Sequence, residues 1–406
     1  MRFGSLADHF RGAGAKYLTE VEINLDVSKQ HEFQGVHGFR RFLGSPVEKE
    51  TFPAVFLWLD DSEDEERPRA DAFCTWSDVR RNQPKRSAEY HLYYSADSRA
   101  VVHRAEAGDL LVIAQKPDRS LLIILSPAGS TIGEQLQWLF GLDLLEGDAD
   151  SKEISASSAR GLDYATRQIL AELDIEPDQA EPSAFDQLIG QFGLSFPPTA
   201  EFSVFARQSL RGVDPLADPD GALIAWMDEE EALFRSLEKL IVSERLKTGF
   251  HEEGVAHVDG FLKFSLSVQN RRKSRAGYAF GHHVEAILAA NSIQYRREAT
   301  TEKRNAADFL FPDEASYMNE HFPSERLKML AVKTSCKDRW RQVLSEANRI
   351  SPKHLLTLEP AISTAQTDEM RSQDLQLVLP RALHTSFRPQ QQAWLLDMRA
   401  FINLVR

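Results

Sequence analysis

Cysteine is nearly absent from this 406-residue chain: there are two, Cys74 and Cys336, 262 positions apart by subtraction. Two cysteines build neither the disulfide framework of a small secreted domain nor a four-cysteine zinc site. Long apolar runs are missing as well. No stretch of about 18 uncharged apolar residues occurs, and the opening MRFGSLADHFRGAGAKYL has no continuous apolar core. These absences speak against a membrane span and a secretory signal, and for a reducing, cytoplasmic setting. Neither GxxxxGK[ST] nor an HxExxH-like string is found, which weakens a reading as an enzyme of nucleotides or simple phosphate esters. No internal repeat is evident at periods of about 20 to 50 residues.

What is present is an ordinary globular composition, with 42% hydrophobic and 27% charged residues, 21 Gly and 18 Pro. At roughly 100 to 200 residues per domain the length predicts two domains. The formal net charge of -13 would repel a polyanion at long range. Its distribution matters more than its sum. Acid concentrates in residues 60–66 (DDSEDEE), 146–153 and 228–231 (DEEE), whereas 270–275 (NRRKSR) and 333–341 (KTSCKDRWR) are locally basic.

Residues 17–142 read mostly as strand. Short β-branched, aromatic and leucine-rich runs at 21–25, 52–59, 89–94, 110–115 and 120–125 are separated by Gly, Pro, Asp and Ser, and a helix is expected over 132–140. The segment 145–182 turns polar and acidic and reads as a linker, with one short helix at 162–173. Beyond 185 helical periodicity takes over, as in 230–246, where Ala232, Leu233, Leu237, Leu240 and Ile241 recur at three- and four-residue spacing. Helices are expected at 277–290, 337–347 and 390–405, and strands at 308–311, 328–334, 354–358 and 375–379. The expected architecture is a β-rich domain over 1–145, a linker over 146–184, and an α/β domain over 185–406 whose mixed sheet is flanked by helices.

The chemistry centres on Asp308, followed 25 positions later by Lys333 and 13 after that by Glu346. Asp308 opens the apolar run DFLF after a polar turn, and Lys333 ends the strand-like KMLAVK. Metal-dependent phosphodiester cleavage needs carboxylates to hold a divalent cation and a lysine beside the attacking water. A second acid two residues before the lysine would share its face of the strand, but that position is Ala331. The missing carboxylate must come from elsewhere. Glu346, two to three turns into a helix starting near Lys337, is one candidate, and Glu285, on a helix whose buried face includes Ala276, Phe280, Val284 and Leu288, is another.

NRRKSRAG (270–277), DFLFP (308–312) and above all LKMLAVKTSCKDRWRQVLSEANRI (327–350) resemble the C-terminal catalytic domain of the EcoRII-type restriction endonucleases. The likeness runs more loosely over 185–406. It implies the restriction-endonuclease-like PD-(D/E)XK fold and a Mg²⁺-dependent type II site-specific deoxyribonuclease. It places the metal aspartate at Asp308, the catalytic lysine at Lys333 and the helix-borne acid at Glu346, with Glu285 as a further catalytic and metal acid. The sequence departs from the family pattern at Gly281, where an acid is usual, and at Ala307, where Pro is usual.

The resemblance also implies DNA contacts. Lys337, Asp338 and Arg339 fall where the family reads C·G pairs of a CC/GG half-site, an arginine contacting guanine in bidentate fashion and a carboxylate accepting from cytosine. Arg271, Arg272, Lys273 and Arg275, read as preceding a helix, suit phosphate contact. Met227 and Glu231, with Trp226 adjacent, occupy the places of a base-flipping sandwich and lack its residue types. KYLTEVEINLDVSKQHEFQGV (16–36) and PKRSAEYHLYY (84–94) resemble the family's N-terminal DNA-recognition pseudobarrel, with His31 on one DNA-gripping arm and Lys85, Arg86, Glu89 and His91 on the other. Ser87 and Ala88 replace the usual residues there. The implied partners are double-stranded DNA, bound by the N-terminal domain as an effector, a second copy in a homodimer, and a companion DNA methyltransferase that is not stably bound. A DNA-binding regulator on the same scaffold, without cleavage, is the alternative.

Overall fold

A computed structural model describes residues 4–23, 31–34, 36–62, 67–83, 85–144, 149–157, 161–177, 182–252, 255–302 and 306–406, without the side chains of residues 252, 255, 273 and 338. Two compact units are present: Phe3–Asp178 with Ala361–Gln366, and Gln179–Pro360 with Thr367–Arg406. No described helix is long and apolar enough to cross a membrane.

The first unit is an eight-stranded sheet in the order β2-β5-β4-β3-β7-β6-β1-β8. Its strands are β1 (Gly12–Tyr17), β2 (Glu32–Phe33), β3 (Glu50–Trp58), β4 (Arg69–Asp78), β5 (Tyr90–Tyr94), β6 (Leu110–Gln115), β7 (Leu121–Ser126) and β8 (Ala149–Glu153). All pairs are antiparallel except β3 with β7. β6 (LLVIAQ) and β7 (LLIILS) are buried along their whole length, as continuous apolar runs covered on both faces should be. One face belongs to a core shared with Phe33, Phe52, Phe56, Trp76 and Leu92 from four other strands, which requires the sheet to curl round it.

Three readings change in this unit. Of the strand expected over 21–25, residues 24 and 25 lie outside the described residues, and Glu20–Ile23 form a helical turn in which Glu22 is drawn inward: its carboxylate bonds Lys16 Nζ at 2.8 Å, Thr19 N at 2.8 Å and Gln34 N at 2.7 Å. β1, β2 and β4 fall outside the expected runs. β1 carries Gly12 and Gly14, poor strand formers that let ring side chains press on the backbone; a Cβ at Gly14 would stand 2.5 Å from the Phe39 ring. The segment read as linker is divided: β8 pairs with β1, and the helix α2 (Tyr164–Glu172), after α1 (Thr131–Phe140), also belongs to the first unit. The acidic composition of β8 hid a strand that presents only Ser151 inward.

The second unit holds a mixed five-stranded sheet, β11-β12-β13-β14-β15, from Arg296–Thr300, Ala306–Phe311, Lys328–Lys333, Lys353–Thr357 and Leu375–Val378. β11 to β13 run antiparallel, and β13 to β15 parallel. Its helices include α3 (Phe185–Phe192), α4 (Thr199–Ser209), α5 (Pro219–Thr248), α6 (Val258–Ala290), α7 (Trp340–Val343) and α8 (Met398–Val405). A short hairpin of β9 (His251–Glu252) and β10 (Val255–Ala256) joins α5 to α6. Asp218 caps α5 through Gly221 N at 2.9 Å, and Pro219 occupies the first turn, where its missing N–H costs nothing.

α6 begins well before the expected Gly277, so NRRKSR lies inside a 33-residue helix and not ahead of one. The helix expected over 337–347 is shorter: a 3-10 turn at Lys337–Arg339 leads into α7, and residues 344–347 are turn and bend. The closing helix starts at Met398, capped by Asp397, and a separate turn covers Pro389–Gln392.

Candidate active site

Asp308 sits where two strands part. β12 pairs with β13 through Phe309↔Leu330, Leu310↔Met329 and Phe311↔Lys328, and the ladder stops there. The next amide of β13 on that side would lack a partner, and Asp308 supplies one: its Oδ2 accepts from Val332 N at 2.7 Å. The same oxygen accepts from Lys333 Nζ at 2.9 Å. Divergence of the strands thus opens a gap whose rim carries one carboxylate and one ammonium group.

Glu346, in the bend after α7, lies near enough to this pair for its charge to act on both members. It is 9% exposed, and its Oε2 is buried without a hydrogen-bond partner. Burial pushes its pKa up to about 7, with the Asp308 charge raising it further and the charges of Lys333 and Lys353 opposing. Asp308, Lys333 and Glu346 are therefore brought together. The backbone carrying Glu346 is anchored on both sides: Ala347 N donates to Thr301 Oγ1 at 3.4 Å, Asn348 N donates to Glu302 Oε2 at 3.2 Å, and Arg349 Nη2 donates to Phe322 O at 2.9 Å. Lys353, at the start of β14, is a further cation acting on Glu346. Nothing in the spacing of the sequence singled it out.

Glu285 is placed elsewhere. Its carboxylate accepts from Arg297 Nη1 at 2.5 Å and from the Tyr295 hydroxyl at 3.4 Å. Arg297 is the cross-strand partner of Phe309, with its guanidinium over that ring, and Tyr295 meets the same ring edge-on. Side chains alternate along a strand, so this cluster occupies the face opposite to Asp308. Gly281 fits the cluster by size, since a Cβ there would come within 3.0 Å of Arg297 Nη2. Among the described residues no group of three or more His, Cys, Asp or Glu side chains could hold a metal ion. Two carboxylates with the orphaned oxygen of Glu346 suit a hard cation that takes its other ligands from water and phosphate.

The three arginines of the basic run of α6 are all engaged by neighbouring side chains. Arg275 is 6% exposed, bonds Glu230 Oε1 at 2.5 Å and stacks on Phe202 and Phe234, which corrects its reading as a phosphate contact. Arg272 Nε bonds the buried Glu238 at 2.6 Å, and Arg271 lies 4.2 Å over the Phe196 ring. The physical reason is that α5 buries its acids and α6 answers them. The side chain of Lys273 lies outside the described residues. Met227 is buried, Trp226 stacks near His283, and Glu231 pairs with Arg235 at 2.7 Å.

Arg339 is exposed on the turn after Lys333, and Lys337 beside it adopts a positive φ of 28°; the Asp338 side chain lies outside the described residues. In the first unit Lys85 and Arg86 are exposed between β4 and β5. Glu89 and His91 are engaged: His91 Nδ1 lies 3.0 Å from Glu32 Oε2 and Nε2 lies 3.3 Å from Glu89, which also pairs with Arg80. His31 Nε2 lies 3.2 Å from Arg99 and its ring meets Tyr94 edge-on.

A strand-divergence site with an Asp-Lys pair and an acid delivered from beyond the next helix defines a restriction-endonuclease-like α/β unit. Residues 234–402 match the family model described as EcoRII C terminal, to which this part of the chain is therefore similar. The type II restriction enzyme EcoRII of Escherichia coli is 39% identical over 210 residues, which cover 52% of this chain and 50% of that enzyme. The match thus spans about half the length of that curated relative. Two solved structures are also similar. Metal-depleted Ecl18kI in complex with uncleaved, modified DNA has a TM-score of 0.44 at 19% identity, over 54% of this chain and 82% of that one. The restriction endonuclease PspGI-substrate DNA complex has a TM-score of 0.43 at 15% identity, over 52% of this chain and 92% of that one.

Proposed function

We propose that the protein is a Mg²⁺-dependent type II restriction endonuclease that hydrolyses double-stranded DNA at a short palindromic site with CC/GG half-sites. The observation that carries this reading is the convergence of Asp308, Lys333 and Glu346 at the parting of β12 and β13, in a segment that matches the EcoRII C-terminal family model. Asp308 and Glu346 would hold the cation, which when bound supplies charge to the scissile phosphate and acidity to a water. Lys333, fixed by Asp308, presents an ammonium group to the attacking water and stabilises the charge that develops on the phosphate. The paired-off Asp308 Oδ2 also keeps Val332 in place, so the lysine is delivered from a rigid strand end. The exposed Arg339 reads a guanine edge, and the second unit works as a homodimer on the two half-sites. The first unit, with Lys85 and Arg86 exposed between two strands, binds DNA as an effector. The companion of such an enzyme is a DNA methyltransferase that does not bind it stably.

Incubation of plasmid DNA with the purified protein, with and without Mg²⁺, tests the reading. Discrete fragments that require the metal are expected, and sequencing of their ends gives the site. Binding without cutting would leave a DNA-binding regulator instead. Two predictions follow from the placement of the acids and arginines. Glu285→Gln retains most cleavage, because Glu285 answers Arg297 on the other face; a loss as large as that of Asp308→Asn would restore it to the metal set. Arg339→Ala removes about 1–3 kcal/mol of discrimination at one C·G pair while leaving stability unchanged. Uniform loss of affinity across all sequences would instead make Arg339 a phosphate contact.

A further inference from the structure

The turn between the lysine and the reading arginine is held by a buried carboxylate from beyond the end of the next strand. Glu359 lies two residues beyond the end of β14, which runs parallel to β13 with Lys333 opposite Thr357. Its side chain is buried, and its Oε2 accepts from the backbone N–H of Cys336. That amide opens the turn: the Cys336 carbonyl in turn accepts from Arg339 N at 2.7 Å. Glu359 is itself held by its own backbone, whose N–H donates to Thr357 Oγ1 at 3.2 Å. Between the two hydrogen-bonded ends of the turn, Lys337 adopts a φ of 28°, a conformation that a long L side chain takes only when its surroundings impose it.

The turn, with its positive φ at Lys337, is pinned at its first amide by a buried carboxylate from just beyond the neighbouring strand. We propose that Glu359 is a positioning residue for base reading: through Cys336 it fixes the turn 334–339 so that Arg339 leaves it at one angle. This rests on the endonuclease reading above. A carboxylate suits the task because it accepts strongly and cannot donate, so the turn cannot invert the bond.

The test uses the full chain with Glu359→Ala and Glu359→Gln. The substrates are a duplex bearing the sequence that the wild type cuts and duplexes with one base pair of it changed. Glu359→Ala is expected to lower the ratio of kcat/KM between the cut sequence and its variants by about tenfold or more. The loss falls on KM, because the metal site is untouched. Glu359→Gln keeps a carbonyl acceptor and should restore most of the ratio. In the Arg339→Ala background Glu359→Ala should lower the ratio little further, because the arm it aims is gone. Hydrogen exchange at Cys336 N–H, which needs no DNA, should quicken in the Ala variant and recover in the Gln variant. Unchanged exchange overturns the clamp. Quickened exchange with an intact ratio overturns its part in base reading. A wild type that cuts no DNA overturns the endonuclease reading, and base reading by this turn with it, while the exchange result still decides the clamp.

Discussion

Glu346→Gln is expected to reduce Mg²⁺-dependent cleavage by roughly a thousandfold or more and, at the same time, to make the metal-free protein more stable. The first effect follows from the loss of a charged ligand: several kcal/mol of charge stabilisation correspond to that many decades of rate. The second follows from burial. In the folded chain the Glu346 carboxyl titrates near about 7 instead of its ordinary 4.5. Between those values the folded state holds a proton that the unfolded state has released, so stability falls as pH rises through this window. Above it the whole cost is present, about 2.5 pH units at roughly 1.4 kcal/mol each, or about 3–4 kcal/mol. Glutamine carries no charge and escapes that cost. Denaturant titrations without metal should therefore show the variant ahead of the wild type at pH 8 by about 3–4 kcal/mol, and the two converging toward pH 5. Mg²⁺ should raise wild-type stability increasingly as pH climbs through 7, since only the ionised carboxylate binds it, and should do little for the variant. Equal stabilities at pH 8 would show that Glu346 carries no buried charge and has no place at the cation.

The parts of this molecule legible in its sequence are those whose residues act locally. β6, β7, β13 and β14 stood out because parallel or doubly covered strands are continuous apolar runs. Asp308 and Lys333 stood out because a charged residue at the end of such a run faces the place where strands part. What was not legible depends on partners distant in sequence. β8 is polar and becomes a strand because β1 offers it an edge. Residues 344–347 have helical composition, yet the Glu302 carboxylate and Thr301 hydroxyl, more than 40 positions earlier, capture the amides of Asn348 and Ala347 and break the helix. That break is what turns Glu346 toward Asp308. Glu285 misled because an acid on an apolar helix face looks the same whether it meets a cation or an arginine. Its partner Arg297 sits one strand away.

NRRKSR misled for the same reason, and its expected behaviour separates scaffold from reader most sharply. Arg275→Met should lower the stability of the second unit by about 3–5 kcal/mol, the usual result of removing one member of a buried ion pair. Glu230 is 1% exposed, and besides Arg275 its carboxylate has His283 Nε2 at 2.8 Å. Burial keeps the His283 imidazole below its ordinary pKa, so at pH 7 it is neutral. Its Nδ1 lies 3.1 Å from Arg207 Nη1 and must accept, which puts the ring proton on Nε2, the nitrogen nearest to Glu230. The neutral ring therefore lies between Arg207 and Glu230 without balancing the carboxylate's charge; Arg275 is the cation in direct contact with it, and Arg207 acts on it from the far side of the ring. Glu230→Gln added to Arg275→Met removes the stranded charge and keeps a carbonyl for His283, so the double variant should regain most of the loss. Denaturant midpoints and a double-mutant cycle measure both steps. If Arg275→Met instead left stability unchanged and weakened DNA binding with a shallower salt dependence, the guanidinium would face phosphate, and α5 would have to neutralise Glu230 by other means.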